Sequence, residues 1–417
     1  MISYAEALAI VHQQVATLAS EWVDSAQAEG RVLAQALSSP AELPPFDNSA
    51  MDGFAIATHG LGVAAGSEHA VVGTIAAGTD AAAAELGAAW EIMTGAGVPA
   101  GADAVVPIEQ VDVLAHHNAR PSRIRMRADV RAGQHIRRRG EDVRLQDVVI
   151  EAGTVLRGAH SMVLAGLGCA QVQVVRRPRV ALIATGRELI SDPAQPLQPG
   201  QIRDGTSSYL RSQVQAAGAV LVWQGQVGDD DAGFDAALAQ AREAGADVIL
   251  STGAVSRGRY DFVPDALVRH AARLLFHKVA VRPGKPVLLA RFADGVLYVG
   301  LPGNPMASAA GLRFFVEPAL RALLGMPAER GLRVALETPM QARPIWRQHL
   351  RARLYCNALG ALCVQILPQQ ESFRVAPLLQ ANVWAVLEPQ QDAAAPCMTA
   401  EVFGLGHLQP AAPVLIA

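Results

Sequence analysis

Two buried-type apolar runs, ADVILSTG (246–253) and VLYVGL (296–301), each feed a glycine-bearing turn before a helix-prone segment. The cationic stretch KVAVRPGKP (278–286) lies between them. A strand that ends in a glycine-rich turn ahead of a helix aims backbone N–H groups and the positive end of the helix dipole beyond the sheet. In open α/β sheets ligands gather outside the carboxyl ends of the strands. The pattern therefore predicts a phosphate- or oxyanion-binding crevice served by Lys278, Arg282 and Lys285. Alternating cations also occur on plain surface strands, but Pro283-Gly284 bends the chain between two of these and lets their heads converge.

The same logic extends from Arg177 to Gly325, where strands and helices alternate. RPRVALIAT (177–185) reads as a buried strand ending in TGREL, and 206–218 as a helix with Leu210, Val214 and Ala217 inward. AVLVWQGQVG is a strand, and Phe234, Ala237, Leu238 and Ala241 mark the next helix. A helix over Pro264–Leu275, the paired runs HKVAVRPG and KPVLLARF, and a final helix carrying Leu312, Phe315, Val316, Ala319, Leu320 and Leu323 on one face complete the order. That order predicts a doubly wound α/β domain over 176–326.

The flanks have a different texture. Ser3 with Glu6 is a capping box, and Leu8, Val11, Val15 and Leu18 follow at helical spacing. A second short helix is expected over Ser25–Leu37, before Pro40, Pro44 and Pro45 break the pattern. Residues 44–142 hold short apolar runs punctuated by Gly and Pro, as in a small β-rich inserted domain. Residues 1–43 and 143–175, with a helix around Ala159–Leu167 and a strand AQVQVV, form a helical and linker domain. From 327 to 417 strand-like runs follow one another without helices, which predicts a C-terminal β domain. The fold class is thus multidomain α/β plus β.

Composition enters through what it excludes. A chain of 417 residues calls for about two to four domains. A formal charge of −3 and a pI near 6.4 give no sign of a nucleic-acid partner. The four cysteines lack zinc or disulfide-framework spacing, which fits a reducing cytoplasm. No apolar run approaches the roughly 18 residues of a membrane span, so a soluble protein is expected.

Five acids are candidates: Asp52, Asp142, Glu188, Asp229 and Asp261. The last three follow strands of the α/β domain, near the Lys278–Lys285 segment. Carboxylates beside a phosphate-binding turn commonly hold Mg²⁺, with Asp229 and Asp261 as the expected metal ligands. Both also suit helix caps. DNSAMDGFA, with Asp52, and GEDV, with Asp142, have turn-forming composition. Thr94, in the loop after the apolar run of IMTGAGVPAGADAVVP, either bonds a ligand or caps its own turn.

Together these motifs resemble the molybdopterin molybdenumtransferase family, the MoeA proteins and the E domain of gephyrin. The matching stretches are PPFDNSAMDGFA, IMTGAGVPAGADAVVP, RRRGEDV, GQIRDG, STGAVSRGRYDFV, VAVRPGKP and GLPGNPMA, in order from 44 to 307. The resemblance implies an elongated homodimer whose α/β domain binds molybdopterin. It further implies insertion of molybdate into adenylylated molybdopterin with Mg²⁺-dependent loss of AMP. The pathway's adenylyltransferase and a recipient molybdoenzyme are the further partners it implies. Asp261, Glu188, Asp229 and Lys278 then take catalytic roles. Asp52, Thr94, Asp142, Gly253, Ser256, Gly303 and Asn304 bind substrate, and Arg282, Lys285 and Arg351 hold molybdate.

Several positions depart from the family pattern. Arg187 replaces an acid in TGREL, Ala254 a glycine in GAVS, and Ala307 a serine after LPGNP; Arg257 and Arg259 are added nearby. Thr206 stands where Asn is common, and Ala376-Pro377 where the tail often offers serines. These departures keep two other readings open: a non-catalytic paralogue that binds or delivers the cofactor, and the preceding adenylylation step. The latter would not need the β-rich domain, whose motifs are all present.

Overall fold

A computed structural model describes residues 1–79, 87–228, 230–255, 262–390 and 396–415. Asp229, Ser256 and Asp261, with Arg257 and Arg259, lie outside the described residues.

The α/β region is built on a six-stranded sheet. Val220–Val227, Arg179–Thr185, Val248–Thr252 and Leu297–Leu301 run parallel in that spatial order; Leu288–Arg291 pairs antiparallel with the last of these, and Arg273–His277 pairs antiparallel with Leu288–Arg291 at the edge. The central strands are buried along their whole length, as a sheet covered on both faces requires. One face packs under Leu210 and Val214 of the Gly205–Ala216 helix and under the 305–323 helical run. The other packs under Phe234, Leu238 and Ala241 and under Val263 and Leu267. The doubly wound expectation is met, with an antiparallel hairpin at one edge.

The expected helix over Pro264–Leu275 is shorter, ending at Arg269. Ala271 adopts φ +57° and the Ala272 amide donates to Leu267 O at 2.9 Å, a closure that stops the helix and releases 273–277 as a strand. The final helix is three segments in one run: Pro305–Gly311, a π turn at Leu312–Val316, and Glu317–Leu323. Pro318 has no N–H for the Phe314 carbonyl; Tyr4 Oη donates to that carbonyl instead, at 3.2 Å.

The first helix, Tyr4–Gln13, carries the expected capping box, and its buried Ala7 and Val11 enter the α/β core. The second expected helix is absent. Residues 25–27 make a single 3-10 turn, and Gly30 at φ +75° breaks any continuation. Val32 and Leu33 instead bridge Val155 and Val174. Ser20–Asp24 pairs with Gln171–Val175, and Leu37–Ser38 with Val148–Ile150, beside the Gly158–Gly166 helix.

Residues 53–126 contribute a six-stranded sheet with Phe54, Ile56, Val106 and Ile124 in its core. At the C-terminus, Arg347–Cys356, Leu362–Ile366, Leu332–Met340, Cys397–Gly404 and Val383–Leu387 pair in that order. The last pairs with the first, closing a small barrel. Val281–Arg282 adds to this barrel, parallel to Arg347–Gln348, so the RPGK segment leaves the α/β region to join its neighbour. Trp384 and Phe403 of the barrel enter the α/β core, and His349 stacks on Phe314 with centroids 4.0 Å apart. Among the described residues, no helix is long and apolar enough to cross a membrane.

Candidate active site

Three strand ends converge at the carboxyl edge of the parallel strands. Thr185 Oγ1 donates to Thr252 O at 2.8 Å, and the Gly253 amide donates to Leu301 O at 3.0 Å, which ties the three turns together. Gly253 sits at φ +86°, and a Cβ there would lie 2.6 Å from Thr185 Oγ1 and 3.0 Å from Thr185 O. Only glycine fits both the conformation and the space. A Cβ on Gly303 would approach Gly253 Cα at 3.6 Å, so the second and third turns are in direct contact. Ser308 Oγ donates to Pro302 O and pins the LPGNP turn against its helix.

These turns line a cavity of about 1080 Å³. Glu188, Gly253, Gly303 and Asn304 all open on it, as expected. The amide of Met306, however, does not face a ligand: it donates to Ser372 O of the barrel at 2.9 Å. The helix beginning at Gly205 contributes more. Asp204 caps it by accepting from the Ser207 amide at 2.9 Å, and Gly205, Thr206 and Tyr209 line the cavity. GQIRDG was legible as a motif, but nothing in its composition marked Asp204 or Tyr209 as wall residues. Burial pushes the Tyr209 hydroxyl upward, keeping it protonated as a hydrogen-bond donor. The remaining wall, Phe373 to Leu379, comes from the barrel. Within it the sequence had singled out Ala376-Pro377 alone, because no local pattern signals a contact closed over such a long stretch of chain.

Arg282 and Lys285 are brought together, in a second cavity of about 280 Å³ that includes Trp346. Lys285 Nζ sits 5.4 Å from the Trp346 ring centroid, a cation–π contact that fixes the ammonium. The two cavities flank one helix, since a Cβ on Gly284 would meet Ala307 O at 3.5 Å. Lys278, at φ +75°, donates its amide to Val287 O at 3.0 Å and lines neither cavity.

Arg351 does not join the cations. It is 2% exposed, and its guanidinium donates to Arg374 O at 2.5 Å and Gln369 O at 2.8 Å. A strand in the barrel wall points it inward, where peptide carbonyls compensate its burial, so it offers no free donor face to an oxyanion.

Asp52, Thr94 and Asp142 lie in the β-rich region, and none lines the α/β cavity of its own chain. Asp52 Oδ1 accepts from the Thr94 amide at 2.6 Å and from Thr94 Oγ1 at 2.8 Å. The Thr94 amide, and then its hydroxyl, hold that carboxyl below the usual range, so Asp52 is an anion at neutral pH. Asp142 is exposed in a turn, its amide donating to Leu43 O at 3.0 Å. Among the described residues no cluster of three His, Cys, Asp or Glu side chains has metal-site geometry.

Residues 2–168 match the family described as MoeA N-terminal region (domain I and II), and residues 181–322 match the family described as probable molybdopterin binding domain. The chain is 35% identical over 403 residues to the molybdopterin molybdenumtransferase of Synechococcus elongatus, covering 94% of this chain and 96% of that one. It is 37% identical over 347 residues to molybdopterin molybdenumtransferase 2 of Mycobacterium tuberculosis, covering 81% and 83%. A crystal structure of the molybdopterin biosynthesis MoeA protein from Pyrococcus horikoshii superposes with a TM-score of 0.79 at 27% identity, covering 96% of this chain and 98% of that one.

Proposed function

Because the chain belongs to the MoeA family of molybdopterin molybdenumtransferases, its activity is insertion of molybdenum into molybdopterin, and we propose that the form it acts on is adenylylated molybdopterin, with molybdate as the metal source and AMP as the by-product. The observation that carries this reading is the cavity at the strand ends. Its volume of about 1080 Å³ suits a ligand larger than a single nucleotide. Its floor, at Gly253 and Gly303, is glycine backbone of strand-end turns, a surface that suits a phosphate.

In this reading the N-terminus of the Gly205–Ala216 helix supports the substrate phosphates with its free amides. Thr206 supplies a hydroxyl there. Arg282 and Lys285 recruit molybdate in the neighbouring cavity, and Trp346 restrains Lys285 so that less freedom is lost when the anion binds. Glu188 is a hard oxygen donor on the cavity wall and fits Mg²⁺ by its chemistry; Asp229 and Asp261 are the proposed further ligands. The cation, when bound, would neutralise charge on the phosphates.

The protein acts as a homodimer in the cytoplasm, with Asp52, Thr94 and Asp142 of one subunit facing the cavity of the other. The adenylyltransferase that makes the substrate and a molybdoenzyme that takes the product are its partners. The test is AMP release from adenylylated molybdopterin by the full-length protein, with Mg²⁺ present or chelated. Mg²⁺-dependent release supports the reading, and equal release after chelation contradicts the metal's part in it.

A further inference from the structure

The barrel wall of the substrate cavity differs in chemistry from the strand-end turns. Phe373, Val375 and Leu379 line the cavity while remaining 63%, 53% and 90% exposed. Single exposed apolar side chains are ordinary; three on one short segment, turned into a concave site, call for an occupant.

That segment is held from behind. Arg351 reaches three of its carbonyls, at Gln369, Glu371 and Arg374. Gln370 locks the other side: Nε2 donates to Arg351 O at 2.9 Å and Leu367 O at 2.8 Å, and Oε1 accepts from the Arg351 amide at 3.1 Å. Ser372 O accepts from the Met306 amide, which ties the segment to the α/β region. Beneath the 376–379 turn Pro377 is buried and Leu378 packs on the α/β core. A fixed backbone presenting exposed apolar side chains is a preformed contact surface, which needs little ordering when a ligand arrives.

We propose that Phe373, Val375 and Leu379 form a ledge that takes a flat heteroaromatic ring of the substrate, and that Arg351 is the positioning residue that holds it. The inference rests on the functional reading above. A ligand with phosphates in its middle and a planar ring at its end matches the cavity, polar turns meeting the phosphates and the ledge meeting the ring. Adenylylated molybdopterin carries two such rings, pterin and adenine, and both have apolar faces with polar edges. Arg351 acts on this ring through the segment 369–374 and not on molybdate.

The test uses calorimetric binding of AMP, 6-hydroxymethylpterin and inorganic pyrophosphate to the full-length protein and to its Phe373→Ser/Leu379→Ser variant. We expect one ring-bearing probe to weaken about tenfold, equivalent to about 1.4 kcal/mol, while pyrophosphate changes less than about twofold. The probe that weakens identifies the ring. Unchanged affinity for both rings, no measurable binding of either ring to the wild type, or equal loss of all three probes would each overturn the ledge. In steady-state assays Arg351→Lys should raise KM for adenylylated molybdopterin and leave KM for molybdate unchanged. The reverse split would make Arg351 an anion ligand. Failure of the wild type to release AMP counts against the functional reading alone, because probe binding is read without turnover.

Discussion

Replacing Gly253 by alanine tests whether the strand-end turns are as tightly specified as their geometry implies. At φ +86° an alanine pays about 1–2 kcal/mol for the left-handed conformation. Its Cβ would stand 2.6 Å from Thr185 Oγ1 and 3.0 Å from the Thr185 carbonyl, both at the end of a buried strand. Relieving such a clash costs about 1–3 kcal/mol. The reduced freedom of the unfolded chain returns about 0.4–1 kcal/mol. The net loss is about 3 kcal/mol, or on the order of 10 °C in Tm for a unit of this size. Gly303 is the control: its Cβ would make an ordinary 3.6 Å contact, so Gly303→Ala should shift Tm by less than about 2 °C. Ala254 already occupies φ +51°, and Ala254→Gly should be near neutral, since relief of strain offsets the greater freedom of glycine. Scanning calorimetry of the three variants reads all of this. Equal Tm for Gly253→Ala and Gly303→Ala would refute the reasoning.

Further outcomes follow from buried charge. Arg313 and Glu317 are 2% and 1% exposed and 3.3 Å apart, with Glu329 completing the cluster at 2.7 Å. Arg313→Met removes the cation facing the Glu317 carboxyl, which burial pushes up to about 8, together with the Arg313 bonds to Gly404 O and Glu329. The carboxyl can then take up a proton, so the loss in chemical denaturation should be about 1–3 kcal/mol; no loss would contradict it. His407 is pushed down to about 3, first by burial and then by Arg321, and burial together with Arg347 and Arg313 also lowers His349. Both are neutral when folded, so the unfolded chain binds more protons below about pH 6.5. From pH 7 to pH 5 this lowers stability, by about 2 kcal/mol for His407, against the opposite contribution of Glu317, whose carboxyl, pushed up to about 8 by burial, holds a proton in the folded chain over the same range. His407→Gln should flatten that slope, whatever its effect at pH 7. Lys285→Gln should raise KM for molybdate about tenfold and leave KM for the pterin substrate within about twofold, as molybdate titrations would show.

Much of the architecture was legible because it is written in local periodicity. The strands at 179–185, 248–252 and 297–301 are continuous apolar runs between glycine turns, a pattern that only a sheet covered on both faces accommodates. Ser3 and Glu6 announced the first helix, but it ends at Gln13, so Val15 and Leu18 of the expected spacing lie beyond it, and nothing local said that Ala7 and Val11 would enter the α/β core. The segment after Ser25 had helix-like content, but Gly30 and long-range pairing with Val155 and Val174 of the same chain decided against it. Glu188, Gly253, Gly303 and Asn304, which the family resemblance singled out, line one cavity because each sits in a turn at the end of a parallel strand. Arg351 shows the converse. Its charge was visible and its burial was not, since burial depends on how the barrel closes around strand 347–356. Phe373 and Leu379 carried no signal, because the exposed apolar residues of a loop look alike until a cavity forms beneath them.

The central claim is tested most directly by supplying the purified full-length protein with adenylylated molybdopterin and Mg²⁺, adding or withholding molybdate. AMP release and the ability of the product to activate a molybdenum-free recipient enzyme are then followed together. The account predicts that molybdate raises both in parallel. Tight binding of the substrate with no AMP release and no activation at any molybdate concentration would contradict it.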